Sequence, residues 1–319
     1  MLIIQCDERK PCCARCSRTN TICSFEPHNL PHIIEQKRDS TERLLYHIHQ
    51  YPIEGIGSEP VASLCKSHPY LFSAILALSA SHLQHLQPSQ SNMVAAHFHQ
   101  SATLRSFSSA ITTELEVQPL TQQSSDALLI TSMLLNVLLF NSSDPWVFSD
   151  DPNRLGWFNL FLGMTPLLMA TKEFHQDSLL RYIFDASNID AELEERACTL
   201  EKSPAWSELC DGETMFDEPL EVLAMLKGLE ANRSTLWLYA SFFGRLDANF
   251  RDLLDNGDLR AMWIVGYWMG LLCRFDEMWW LHNMAKRDHK DIQIWLRNRV
   301  RGDMWAELMN DLRDAPNQP

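Results

Sequence analysis

An all-α fold is predicted for this chain on three observations. Glycine is scarce, at 11 of 319 residues, against a usual share of ~7%. Tight hairpins and phosphate-cradling loops draw on glycine, so its scarcity disfavours all-β and nucleotide-binding α/β folds. Apolar residues recur at helical spacing along most of the chain, and no convincing run alternates as a strand would. Apolar residues also make up 45% of the sequence, enough for a sizeable core.

The first element is a cysteine string. Residues 6–25, CDERKPCCARCSRTNTICSF, hold five of the nine cysteines. Cys6, Cys13, Cys16 and Cys23 follow the spacing C-x6-C-x2-C-x6-C, with Cys12 as a fifth thiol that can substitute. A C-x2-C pair lets two thiolates reach one tetrahedral zinc. No secretion signal is recognisable, because Met1–Ile4 is apolar but short and charge follows at once. A reducing compartment is therefore predicted, where clustered cysteines bind metal rather than pair as disulfides.

This string resembles the second half of the fungal binuclear zinc cluster, the Zn2Cys6 DNA-binding module. Cys6, Cys13, Cys16 and Cys23 match the third to sixth ligands of that family, and Pro11 matches its loop proline. The family's first half, a C-x2-C followed by an Arg/Lys-rich turn, has Met1–Gln5 in its place. Four thiolates hold at most one zinc in tetrahedral geometry. The expectation is therefore one zinc per chain as written, and two if the upstream half is restored. The missing half carries the basic helix that would read promoter DNA. A start at a wrong exon boundary, a truncated gene and a deliberate short form all account for this. The first is preferred, because a half-module has no independent use.

Residues 1–26 are thus read as an incomplete DNA-binding module and 27–40 as a linker, with two prolines, charges and no period. An all-helical domain is expected over 41–319. Its first buried helix is 68–87, with Ser67 as N-cap and Pro69 in the first turn. Helices are then expected over 90–115, 122–141, 155–171, 177–198, 219–230, 234–243 and 245–255. Two Trp-rich helices, 258–283 and 286–312, close the chain. The longest strongly apolar run, Leu128–Phe140, is short of the ~20 residues that span a bilayer, so no membrane span is expected.

The order of these blocks extends the resemblance to fungal regulators similar to the sterol uptake control proteins. SHPYLFSAILALSASHL, LGWFNLFLGMTPLL and FRDLLDNGDLRAMWIVGYWMGLLCRFDEMWWLHNMAKR carry it, the last with the Trp279-Trp280 pair. HNMAKR, after that pair, departs from the family's Gly-Trp-Ala-Arg-like turn. The resemblance implies a nuclear, non-enzymatic transcription regulator, with an all-helical regulatory domain that senses a lipid. It further implies control of a metabolic or secondary-metabolite gene cluster. Homodimers or heterodimers with related regulators are implied partners. The alternative is a short protein that dimerises with or titrates a full-length regulator without touching DNA.

Charge agrees with a dedicated DNA module. The net charge is −14, and residues 51–319 hold 20 Lys/Arg against 35 Asp/Glu. A body this acidic does not bind nucleic acid by general attraction to phosphate. The run Lys286–Arg301 is basic, but Ile292, Trp295 and Leu296 at helical spacing make it the solvated face of a helix.

No catalytic motif is recognisable. His82 and His85 lack a completing carboxylate, and the acids of Asp150–Arg154 and Asn310–Asp314 read as loop acids. One segment carries a sharper expectation. In AMWIVGYWMGLL, Gly266 and Gly270 lie four residues apart on one helix face, among Met262, Trp263, Tyr267 and Trp268. Glycine there admits a close neighbour. A packed helix is the default, and a pocket for an apolar small-molecule effector is the alternative.

Overall fold

The computed structural model describes residues 30–51, 58–114, 119–141, 148, 155–187, 204–210 and 214–317. Every regular element among them is helical, as the composition predicts. The cysteine string lies outside the described residues. The chain divides into two compact units, Met1–Ser58 and Glu59–Pro319.

The first unit contains helix α1, Leu30–Gln50. The backbone is therefore helical within the segment expected to be a linker. Its proline, Pro31, falls in the first turn, where a missing N–H costs no helical hydrogen bond.

The second unit opens with α2, Glu59–Ser67, which sequence periodicity did not single out. Helix α3 runs Pro69–Leu86 and α4 runs Gln90–Thr112, packed on each other and joined by a short turn. Ser67 is not the N-cap of α3. His68 occupies that position without a side-chain cap, and Pro69 takes the first turn as expected. The first two-thirds of α3 is buried on nearly all sides, from Tyr70 to Ser81, whereas Leu86 is exposed. Helix α5, Gln122–Phe140, packs on α3 and α4. Thr121 and Ser124 close its start as a reciprocal capping pair, which satisfies two orphan backbone N–H groups. Among the described residues α5 alone is long and apolar enough to cross a membrane, yet 83% of its apolar window is buried inside the fold.

Helix α6, Gly156–Thr171, packs on α5 and runs into a 3₁₀ turn, Lys172–Asp177. Short helices α7, Arg181–Ser187, and α8, Pro204–Cys210, follow. Helix α9 is Asp217–Lys227, α10 is Leu236–Ala240 with a 3₁₀ continuation to Arg245, and α11 is Ala248–Asp255.

The span expected as two Trp-rich helices is three. Helix α12, Leu259–Leu272, ends in a run of turns over 273–281. Helix α13, His282–Arg297, is separated from α14, Asp303–Asp314, by Gly302 at φ +101°. That left-handed conformation suits glycine and ends the helical path. Every residue from Ala261 to Leu272 is buried. Helices α9, α11, α13 and α14 surround α12, which explains a helix apolar all round.

An aromatic seam joins α5 and α6 to α12. Trp268 is fully buried, and its indole Nε1 donates to Tyr239 O at 2.8 Å. Phe243 meets Trp268 edge-on at 4.5 Å between centroids, and Phe158 meets Phe243 at 5.4 Å. Such edge-to-face pairs add about 0.5–1.5 kcal/mol beyond area burial. Arg274 completes this region by donating to Leu229 O at 2.7 Å, so its positive charge sits at the C-terminal end of α9.

Candidate functional site

The glycine face of α12 is a packing surface. A Cβ on Gly266 would lie 2.6 Å from Ile292 Cγ2, and one on Gly270 would lie 2.7 Å from Ala315 Cβ. Both glycines therefore let α13 and the C-terminal segment approach the α12 backbone. His289 seals this contact by bonding Gly266 O through Nδ1 at 2.8 Å. Met262, Trp263, Tyr267 and Trp268 are buried at 1% exposure or less. Trp263 donates to Leu308 O at 2.8 Å, and Trp206 packs edge-on against both Trp263 and Tyr267. None of the six residues expected around a pocket lines the cavity described next. The structure gives them the default reading, a packed helix.

The cavity lies on the other side of the aromatic seam. It has a volume of about 330 Å³, within the range of small-molecule sites. Three walls form it. Helix α5 supplies Leu129, Met133, Asn136 and Val137, α6 supplies Phe161, Met164 and Leu168, and α10 with its continuation supplies Trp237, Leu238 and Ser241. Phe140 and Trp280 connect the lining to the seam. Thr165 holds α6 to the third wall by donating its hydroxyl to Gly244 O at 2.9 Å. Thr165 and Ser241 are exposed, so this edge is the mouth.

Leu180, Ile183 and Phe184 complete the enclosure. A buried carboxylate positions them. Asp126 Oδ1, near the start of α5, accepts from Ser178 Oγ at 2.5 Å and from Leu179 N at 3.2 Å. Gln122 reaches from the same turn to Phe174 O at 3.2 Å. His175 stacks on Phe184 with centroids 3.8 Å apart, and its Nε2 pairs with Thr171 Oγ1 at 3.0 Å. Desolvation lowers the pKa of His175, as does the nearby positive charge of Lys172, which favours the neutral ring in this stack.

Two residues of the lining each carry a polar atom, turned away from the open space, that lacks a partner among the described residues. These atoms are Asn136 Oδ1 and Trp237 Nε1, both sealed from solvent. The Asn136 amide is otherwise committed, since Nδ2 donates to Ser132 O at 3.1 Å. A buried unpaired polar group costs about 1–3 kcal/mol. The lining includes Arg245 but no carboxylate, imidazole, thiol or lysine. The cavity's polar side chains are Asn136, Thr165, Trp237, Ser241 and Arg245. Sequence reasoning missed it. The available signal was Asn136, a lone amide inside the apolar run LLNVLLF, since a buried amide needs a partner.

Other singled-out residues find structural roles. His82 stacks on Trp279 with centroids 4.9 Å apart, and His85 lies 5.5 Å from the same ring. Among the described residues no group of three His, Cys, Asp or Glu side chains could hold a metal ion. Ile292 and Leu296 are fully buried and Trp295 is half-buried, so the basic run Lys286–Arg301 is the outer face of α13 and the turn beyond it, as expected. Asn310–Asp314 is not a frayed loop. It lies in α14, where Asp311 accepts from Trp206 Nε1 at 2.8 Å. Asp150–Arg154 falls outside the described residues.

Comparisons with known proteins point one way. Residues 57–181 match the family model of the fungal specific transcription factor domain. That stretch supplies α5, α6 and Leu180, and so two walls of the cavity. Over 244 residues the chain is 23% identical to a Zn(2)-C6 fungal-type transcription factor of Gibberella zeae. The alignment covers 69% of this chain and 48% of that protein, so the chain spans about half the length of this relative. No solved structure matches significantly.

Proposed function

We propose that this protein is a fungal transcription regulator whose helical unit is a regulatory domain. The observation that carries the reading is the family match over 57–181, on helices that build two walls of a largely apolar cavity. In this reading Cys6, Cys13, Cys16 and Cys23 hold one zinc, with Cys12 as substitute, and belong to a module that contacts promoter DNA in the nucleus where its zinc cluster is complete. The acidic body leaves DNA contact to that module. The cavity receives an apolar small-molecule effector. The target is a metabolic or secondary-metabolite gene cluster, and the partners include a second copy or a related regulator. The sterol-regulator likeness of the three helical blocks supports the effector role.

The test is a reporter assay. The full chain, fused to a heterologous DNA-binding domain, is expected to change transcription from that domain's operator at least severalfold. A fusion that is abundant and nuclear yet leaves the reporter unchanged contradicts the reading. In that case, suppression of a full-length relative by the unfused chain would favour the second reading, a partner that titrates a regulator.

A further inference from the structure

The outer face of α13 carries a charge opposite to that of the body. Residues 282–297 hold four Lys/Arg against two Asp, whereas residues 51–319 as a whole hold 20 Lys/Arg against 35 Asp/Glu. At 3.6 residues per turn, Lys286, Lys290, Ile294 and Arg297 fall within about 80° of one another, along about 16 Å of helix. All four are exposed, Ile294 by 47%. Arg301, just past the helix end, is exposed as well. Neither acid of α13 answers this stripe. Asp288 is buried and pairs with Arg287 at 2.9 Å, and Asp291 is half-buried at the edge of the exposed face. No ion pair joins Lys286, Lys290 or Arg297 to a described carboxylate. Lys286 and Lys290, one turn apart, therefore repel each other without relief from a neighbouring acid.

We propose that this stripe docks an acidic peptide segment of a partner protein, with carboxylates on Lys286, Lys290 and Arg297 and an apolar side chain on Ile294. Charge complementarity selects the class of partner. Carboxylates accept strong charge-assisted bonds from lysine and arginine, and clusters of such cations are a recurrent way to hold acidic motifs. Ile294 decides between peptide and nucleic acid, because a phosphate backbone presents nothing apolar to it. Length decides the same way. Duplex DNA runs past the stripe and meets the repulsion of the acidic body, whereas a short peptide ends within the stripe. None of these residues lines the cavity, and the contact does not rest on the regulator reading.

The experiment uses the full chain and a fluorescent synthetic peptide of glutamates at helical spacing around a central leucine. Binding is read by fluorescence anisotropy at low salt. The peptide is expected to bind saturably, and to bind at least threefold more weakly once added salt screens the charges. Lys290→Glu with Arg297→Glu should weaken binding at least tenfold. Lys290→Gln with Arg297→Gln removes the charges without adding new ones and should weaken it at least threefold. All these positions are exposed, so the variants should melt like the wild type. Ile294→Ser should weaken binding at least threefold, and a peptide with serine at its centre should bind wild type and Ile294→Ser alike. No saturable binding of the leucine peptide overturns the proposal. So does unchanged affinity in both charge variants. Unchanged affinity in Ile294→Ser overturns it too, since the stripe would then attract any anion. A short DNA duplex that binds as tightly as the peptide, and is weakened by the same charge reversal, would make the stripe a nucleic-acid contact instead.

Discussion

Trp268 ties three elements together, because its ring packs against Phe242 and Phe243 and its indole bonds Tyr239 O. Trp268→Ala is expected to cost about 3–5 kcal/mol, read by denaturant unfolding. The glycines separate by what surrounds them. Gly270→Ala drives a Cβ to 2.7 Å from Ala315 Cβ and 2.8 Å from His289 Cε1, and overpacking of this kind costs about 1–3 kcal/mol. At Gly163, within α6, an added Cβ would meet no described atom within 4 Å, so Gly163→Ala should stabilise by about 0.5–1 kcal/mol. Equal effects of the two substitutions in thermal melts would contradict the packing described for α12. His289 makes a pH prediction. Burial lowers its pKa from 6.5 despite the opposing bond to Gly266 O, and Gln293 lies against its other nitrogen. The folded ring stays neutral while the unfolded one takes up a proton near pH 6.5, so stability is present above that pH and lost as pH falls below it. His289→Gln should flatten the stability–pH profile between pH 7 and 5. The burial of Trp268 was legible from an apolar, Trp-rich segment. The role of the glycines was not, since a pocket and a packed helix both require close approach to a bare backbone.

Element types followed from periodicity, but two kinds of boundary did not. The expected helix 258–283 ends at Leu272 because the chain turns repeatedly before His282, although the apolar pattern continues through Phe275, Met278 and Trp280. Apolar turns packed into a core keep the same composition as a helix, so composition does not mark them. Helices α2 and α8, at nine and seven residues, are too short to show a period. Asp126 is the opposite case, an acid in an apolar helix that proves to be a latch. Asp126→Ala leaves Ser178 Oγ and Leu179 N without their acceptor and should cost about 1–3 kcal/mol. Hydrogen exchange over 172–187 should quicken more than over α12. Uniform quickening would mean that Asp126 supports the whole core rather than this wall of the cavity.

At the scale of the molecule, the all-α class was legible because glycine scarcity and helical periodicity agree. The cavity was not, because its walls come from segments about 100 residues apart, joined by Thr165 and Gly244 and by the aromatic seam. The unequal charge of the chain also belongs to this scale. With 20 Lys/Arg against 35 Asp/Glu after residue 50, the proposed regulator should address DNA only through its cysteine module and control it through the helical unit. Met133→Trp probes that control without a ligand, since the half-buried Met133 lines the cavity and an indole there occupies part of its volume. A filled cavity favours whichever state of the domain a bound effector favours. The direct measurement is reporter output from the fused full chain, wild type against Met133→Trp, at matched protein abundance. The account predicts at least a threefold difference between them, in either direction. Equal output from two folded, equally abundant fusions would contradict it.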